Sequence, residues 1–265
     1  MLKKIAWLPL PILVVVIASL NSSLPRVLPS EMVFEPPLLF PISATIFISG
    51  STIFTAYVAA KAYLKSGIFA LALLGASALA MGLGGMFGSW ARDLPNGLNN
   101  ASSIGNVRSF LSSILACLCV ASTMVGLNSE GMVKKAWMHL GVLYFGVSSF
   151  LILWTIGTIQ GVTPPFVVPG VGYTALRHIV VEVTILLFAA SALQMIIVYF
   201  KSKADFMYWG SIAFALVAVG SYAVIFQRIA GDPISWTSRI AQYIGAIWLL
   251  VGLLSSTGSG AKEER

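Results

Sequence analysis

The clearest chemistry in this sequence is a carboxylate placed where an apolar segment should run without interruption. Glu182 stands four residues after His178 and five after Arg177, inside the run Ile179–Phe200. At helical periodicity His178 and Glu182 share a face. An ionisable group in hydrocarbon is costly unless it is paired. The spacing therefore predicts that Glu182 faces the bundle interior and contacts Arg177, His178 or an arginine from another helix, either to bind a ligand or to fix helix packing. A second polar group gathers around a Gly231-Asp232-Pro233 turn, where Arg239 is expected to meet an acid, Asp232 or Glu182. Together Arg177, His178, Glu182, Asp232, Trp236, Arg239, Gln242 and Tyr243 make one candidate ligand-binding cluster. Its arginines would attract an anionic head group or fix the acids, and Trp236 and Tyr243 would supply aromatic contact.

Other chemistries are excluded by placement. His139 and His178 open successive apolar runs from opposite ends, so at 1.5 Å per residue they lie roughly 25 to 30 Å apart and cannot share a haem iron. A retinal Schiff base needs a lysine inside the membrane, and every lysine falls at the end of a run. Cys117 and Cys119, two residues apart on a helix, point to different faces and suit neither a disulfide nor a metal. No nucleotide-binding motif or catalytic triad is present. The chain is expected to be non-catalytic, without metal or cofactor.

The elements that must position the cluster follow from composition. Hydrophobic residues make up 58% of the chain and charged residues only 9%, with mean hydropathy +0.91. A soluble domain would hold about 25% charged residues. Lipid must therefore be the solvent for most of the chain, and non-alternating runs of ~20 residues span it as helices rather than barrel strands. The expected fold is an all-α polytopic bundle of about eight transmembrane helices forming one domain over residues 1–265. The runs are Ile5–Leu20, Leu38–Ala60, Ser66–Ala91, Ser109–Leu127, Ala136–Ile159, Ile179–Phe200, Phe206–Gln227 and Ile240–Thr257. The first follows Lys3 and Lys4 as a signal peptide would, but Pro9, Pro11 and the lack of a small-x-small site favour a retained helix.

Charge sets the expected orientation. With alternate connections assigned to the cytoplasm, Lys3, Lys4, Lys61, Lys65, Lys134, Lys135, Lys201, Lys203, Lys262 and Arg265 fall inside, while Arg26, Arg92, Arg108, Arg177, Arg228 and Arg239 fall outside. The positive-inside rule puts both termini in the cytoplasm, as expected of a multi-pass protein of the plasma membrane. Basic pairs between apolar runs speak for membrane orientation rather than nucleic acid, so the net charge of +7 implies no nucleic-acid partner. The outer connections Asn21–Pro37, Arg92–Arg108, Gln160–His178 and Arg228–Arg239 are the longer ones. Gly82, Gly84, Gly85 and Gly88 let helices approach closely.

An internal duplication is also suggested. Glu35-Pro36-Pro37 and Thr163-Pro164-Pro165 precede the second and sixth runs, Arg92 and Arg228 follow the third and seventh, and Arg108 and Arg239 open the fourth and eighth. Two four-helix halves in parallel would give this pattern.

The second half carries a family resemblance. Pro164 through Arg177 (PPFVVPGVGYTALR) resembles the outer loop before the sixth helix of a group of sensors. Asp205-Phe206-Met207-Tyr208-Trp209 and the stretch Gly231–Gly245 (GDPISWTSRIAQYIG) are similar to their last two helices. These proteins are archaeal and bacterial multi-sensor histidine kinases, whose membrane-associated amino-terminal region precedes PAS and kinase modules. Over about residues 160–256 the resemblance implies a membrane input domain, not a catalytic one, and with the polar cluster near the outer surface the leading reading is a sensory input domain of a signal-transduction system. Its partners would be membrane lipids, other membrane or signalling subunits, and a small ligand at the outer face. In the family the last helix leads into signalling modules. Here Gly258-Ser259-Gly260 is expected to break it. That leaves open a non-catalytic subunit of a larger membrane complex, or a small-solute transporter.

Overall fold

The computed structural model describes residues 2–25, 29–125 and 135–263. Arg26, Lys134, Arg265 and the expected end of the fourth run at Leu127 lie outside them. The chain forms helices α1 (Leu2–Ile5), α2 (Pro9–Ser23), α3 (Leu39–Ser66), α4 (Phe69–Trp90), α5 (Gly97–Val125), α6 (Ala136–Ile159), α7 (Ala175–Ser202), α8 (Asp205–Phe226) and α9 (Pro233–Glu263). A two-stranded antiparallel hairpin, β1 (Val167–Val168) with β2 (Gly172–Tyr173), sits between α6 and α7. Within α3, Ala44–Gly50 is wound as a π-helix.

Seven of these helices, α3 to α9, are long and apolar enough to cross a membrane. The first of the eight expected runs is the apolar helix α2, and it is shorter than the others: its 15 residues reach about 22 Å, against ~30 Å of hydrocarbon. Pro9 at its first helical position starts a new helix after α1, and Pro25 follows its end. The Asn-rich connection Arg92–Arg108 is corrected. From Gly97 onward it is helical, so Arg108 lies three turns inside α5 rather than at its opening. Asn99, Asn100, Ser102, Ser103 and Asn106 depress the hydropathy there without preventing the helix. The amide of Asn100 donates to the Pro95 carbonyl at 2.8 Å, and Asn99 Oδ1 accepts from the backbone N–H of Phe166 and Val167 at 2.8 and 3.0 Å. At the far end α9 continues through Gly258-Ser259-Gly260 to Glu263, where a break was expected.

Successive long helices reverse direction. Lys61, Lys65, Lys201 and Lys203 therefore gather at one end of the bundle, and Arg92, Arg177 and Arg228 at the other. The centre is built from α4 and α8, each 67% buried over its span, whereas α6 and α7 are 17% and 22% buried and flank it. The sequence of α4 explains its place: Ala, Gly and Ser around its whole circumference let neighbours close in on every side. Helix pairs lock through hydroxyls. Ser77 bonds the Ser112 carbonyl at 2.9 Å between α4 and α5, and Ser238 bonds the Gly220 carbonyl at 2.7 Å between α8 and α9.

The packing partners have a symmetry. α4 packs on α3 and α5, and α8 on α7 and α9; α5 packs on α7, and α9 on α3. α2 lies against α8 and α9, while α6 lies against α4 and α5. Exchanging α2–α5 with α6–α9 leaves each of these pairings in place.

Candidate functional site

A cavity of about 140 Å³ opens at the arginine-bearing end, with α5, α7, α8 and α9 contributing most of its wall. Four arginines line it: Arg92, Arg108, Arg177 and Arg239. They reach it from different depths. Arg92 follows α4 directly, Arg177 sits in the first turn of α7, and Arg239 in the second turn of α9. Arg108 lies eleven residues into α5, about 16 Å along the axis.

Two of the arginines share one acid from a distant connection. Glu35 accepts from Arg239 at 3.0 and 3.1 Å through both carboxylate oxygens, and pairs with Arg92 at 3.1 Å. Arg239 is further sandwiched between rings, its guanidinium carbon 4.1 Å from the Phe40 centroid and 4.5 Å from that of Trp236. Such stacking favours the weakly hydrated guanidinium over an ammonium. The connection that carries Glu35 is tied to α9: the Trp236 indole donates to the Phe34 carbonyl at 2.6 Å, and Phe34 N–H donates to the Gly231 carbonyl at 2.9 Å.

The other two arginines have no acid. Arg108 donates Nη1 to the Met81 carbonyl at 2.8 Å and Nη2 to Gln242 Oε1 at 3.2 Å, and its Nε–H has no partner among the described residues. Arg177 is 2% exposed. It donates Nη2 to the Val224 carbonyl at 3.0 Å and stacks on Tyr173 at 3.6 Å, with Nε and Nη1 unpartnered among the described residues. Tyr173, on β2, closes this end of the cavity. Burial pushes its phenol above the ordinary range, and Arg177 beneath the ring opposes that in part.

The seat of Arg108 is cut by glycine. A Cβ at Gly84 would stand 2.4 Å from Arg108 Cβ, and one at Gly85 would stand 2.8 Å from Arg108 Nη1. Any side chain at either position would push α4 and α5 apart or displace the guanidinium. The Gly82–Gly88 stripe thus makes room for a cation as well as for helix contact.

Of the expected cluster, Arg177, Arg239 and Gln242 line the cavity together. Asp232, Trp236 and Tyr243 support its wall. Asp232 is fully buried and caps α9, accepting from the N–H groups of Ser235 at 2.5 Å, Arg228 at 2.9 Å and Ile229 at 3.4 Å. Tyr243 bonds the Ser43 hydroxyl at 3.0 Å and stacks on Phe47. The expected partners of Arg239 are corrected: it meets Glu35, because Asp232 is already saturated by backbone donors. The expectation for Glu182 is corrected as well. It is exposed, and among the described residues no hydrogen bond or ion pair holds it. The inward face of α7 is Arg177, Val181, Thr184 and Phe188, and Glu182, five residues after Arg177, lies about 140° away from it. His178, half-buried, does not line the cavity.

Glu35, Arg92, Arg108 and Tyr173 belong to the site without having been placed in the cluster from the sequence. Glu35 had surfaced only as a mark of a possible repeat, and Arg92 and Arg108 as such marks and as charges of the outer connections. No family model, curated relative or solved structure matches the chain.

Proposed function

We propose that this chain is a non-catalytic membrane input domain of a signal-transduction system, one that takes a ligand into the arginine-lined cavity and passes the event along α9. The observation that carries this reading is that α9 contributes Ser235, Ser238, Arg239 and Gln242 to the cavity and then runs unbroken to Glu263. Its 31 residues extend about 46 Å, beyond the ~30 Å hydrocarbon core. By the positive-inside rule the cavity opens to the outside of the plasma membrane and α9 ends in the cytoplasm. A displacement of Arg239 is then carried rigidly across the bilayer, as in helix-shift switches. The resemblance to histidine-kinase sensor regions over residues 160–256 takes in α7, α8 and most of α9, and supports the same reading. The exchange symmetry of the packing supports two four-helix repeats, with Arg108 on the last helix of one and Arg239 on the last helix of the other, at different depths.

The test uses a single cysteine in the cavity, Ser102→Cys, in a Cys117→Ser, Cys119→Ala background. A membrane-impermeant thiol reagent added outside should modify it and alter hydrogen exchange in the half of α9 beyond the cavity, around Leu250–Ser255. Modification that leaves α9 exchange unchanged, or that occurs only from the cytoplasmic side, refutes the proposal.

A second reading, a non-catalytic subunit of a larger membrane complex, is favoured by Glu182. A carboxylate on the exposed face of α7, in a helix only 22% buried, is the kind of group a neighbouring chain's cation would satisfy. Cross-linking from Glu182→Cys to a second chain in native membranes, lost on moving the cysteine to the buried Thr184, would establish it.

A further inference from the structure

The cavity's charge is unbalanced in a way that specifies a ligand. Four arginines line it, and no acidic side chain does so among the described residues. Glu35, from outside the lining, neutralises one charge between Arg92 and Arg239. Asp232 lies nearby, but its oxygens are occupied by three backbone N–H groups. That leaves Arg108 and Arg177 without an opposing acid, although they are 8% and 2% exposed. Between them they hold three N–H donors, Nε of Arg108 and both Nε and Nη1 of Arg177, with no acceptor among the described residues. Buried donors on a cation are the most costly groups to leave unmatched. Both guanidinium groups line one cavity, and only neutral acceptors tie them to the protein: the Met81 carbonyl and Gln242 Oε1 for Arg108, and the Val224 carbonyl for Arg177.

The rest of the wall suits the same occupant. Ser102 and Asn106 present a hydroxyl and an amide able to donate to oxygen, while Ser109, Thr184 and Ser238 give their hydroxyl hydrogens to the Gly105, Val180 and Gly220 carbonyls. A volume of about 140 Å³ is close to that of a cavity known to hold benzene, so it suits an occupant of roughly six to eight non-hydrogen atoms. Resting on the reading of this cavity as a ligand site, we infer that its ligand is a small oxyanion carrying two negative charges, a phosphate group or a short dicarboxylate, with its oxygens shared between Arg108 and Arg177. Guanidinium is the side chain best shaped for carboxylate and phosphate oxygens. A halide would leave most of the surrounding donors unused.

The phosphate could be free or could be the head group of a lipid, and the experiment separates these. The purified full chain is placed in nanodiscs of neutral phosphatidylcholine and titrated by calorimetry with inorganic phosphate and with succinate, against potassium chloride at matched ionic strength. Saturable binding of phosphate or succinate, absent with chloride, is expected. Arg108→Gln and Arg177→Gln should each weaken it roughly 10- to 100-fold, the range for removing a charged hydrogen bond. Ser102→Trp, which fills the cavity while keeping all four arginines, should abolish it and so covers the case in which an arginine variant does not fold. If free anions do not bind, but nanodiscs doped with phosphatidic acid stabilise the wild type and not Ser102→Trp, the oxyanion is a lipid head group. No saturable binding in any arm, or equal binding by wild type and Ser102→Trp, overturns the inference. Failure here with α9 still responding to thiol modification removes only the ligand class. Oxyanion binding with α9 unmoved removes only the input function.

Discussion

Gly84→Ala is the most direct probe of how the cavity's deepest arginine is held. The added methyl would lie 2.4 Å from Arg108 Cβ, 2.9 Å from Cδ and 3.1 Å from Cγ. Carbon atoms in contact prefer 3.5–4.0 Å, so the Cβ–Cβ approach is short by more than about 1 Å. Cδ and Cγ can swing away, but Cβ moves only with the backbone of α5. Relief therefore needs α4 and α5 to separate. Overpacking of this kind costs about 1–3 kcal/mol, and the fixed Cβ puts it at the upper end. The gain in helix propensity on replacing glycine, up to about 1 kcal/mol, offsets only part. A net loss of about 2 kcal/mol is expected, read as a thermal midpoint several degrees lower in detergent or nanodiscs. Gly105→Ala is the control: in α5, with nothing within 4 Å of its added Cβ, it should gain up to about 1 kcal/mol. If Gly84→Ala melts at or above the wild type while Gly105→Ala behaves as stated, the glycine seat for Arg108 is wrong.

Four further outcomes are expected. Glu35→Gln removes the one charge that serves both Arg92 and Arg239 at side-chain exposures of 11–22%, and should cost about 3 kcal/mol in thermal unfolding, as breaking a buried pair does. Asp232→Ala strips one backbone N–H bond from the first turn of α9 and two from the turn before it and should cost about 2 kcal/mol, the upper range for an N-cap, with hydrogen exchange rising first in residues 228–237. Glu182→Gln should melt at or above the wild-type temperature, because the carboxylate has an exposed position and no partner among the described residues; a loss of more than about 1 kcal/mol, the scale of one hydrogen bond, would show that it is paired. Lys3 is hydrogen-bonded to Asp205, which raises its pKa above the ordinary 10.5. The tether is then fully present below that value and lost as pH rises through the higher folded one, so α1 should release only in strong alkali, monitored by Trp7 fluorescence, and Asp205→Asn should remove this pH dependence.

The segments that were legible in the sequence are those where hydropathy and helix coincide. Ala136–Ile159 matches α6 residue for residue, and α4 and α8 fall within three residues of expectation, because charged or turn residues bound each apolar run. The start of α5 was not legible. Its first eleven residues include three asparagines and two serines, a composition that reads as a loop, and it is helical because those side chains meet protein instead of lipid: Ser102 and Asn106 line the cavity, Asn99 and Asn100 bond the backbone of other segments, and Ser103 meets Trp154 and Thr158. The start of α9 was hidden for a similar reason: the Asp232-Pro233 turn is its cap. The site was half legible. Arg177, Arg239 and Gln242 could be grouped because each lies just inside a helix at the same end. Glu35 could not, because its pairing with Arg239 joins residues 204 apart and nothing local marks which arginine an acid in a connection will reach. Glu182 misled for a physical reason. Sharing a face with His178 says nothing about which face turns inward, and on α7 the buried face is set by Arg177, Val181, Thr184 and Phe188.

The glycine seat also bears on how this protein can diverge. Positions 84 and 85 are tied to position 108 by contact, so they are not free to drift independently. A lineage that keeps the deep arginine is held to glycine at 84, and at 85 wherever the guanidinium keeps its present place, whereas one that replaces Arg108 with a small residue is released to gain the stability of alanine in α4. On the other half, Gly220 stands 2.9 Å from the Ser238 carbonyl and 3.0 Å from Gln242 Cγ, measured from its added Cβ, and binds its own trio in the same way. In a set of diverged sequences, joint retention or joint loss of Gly84, Gly85 and Arg108 would separate those that still hold the cavity from those that share only the helices.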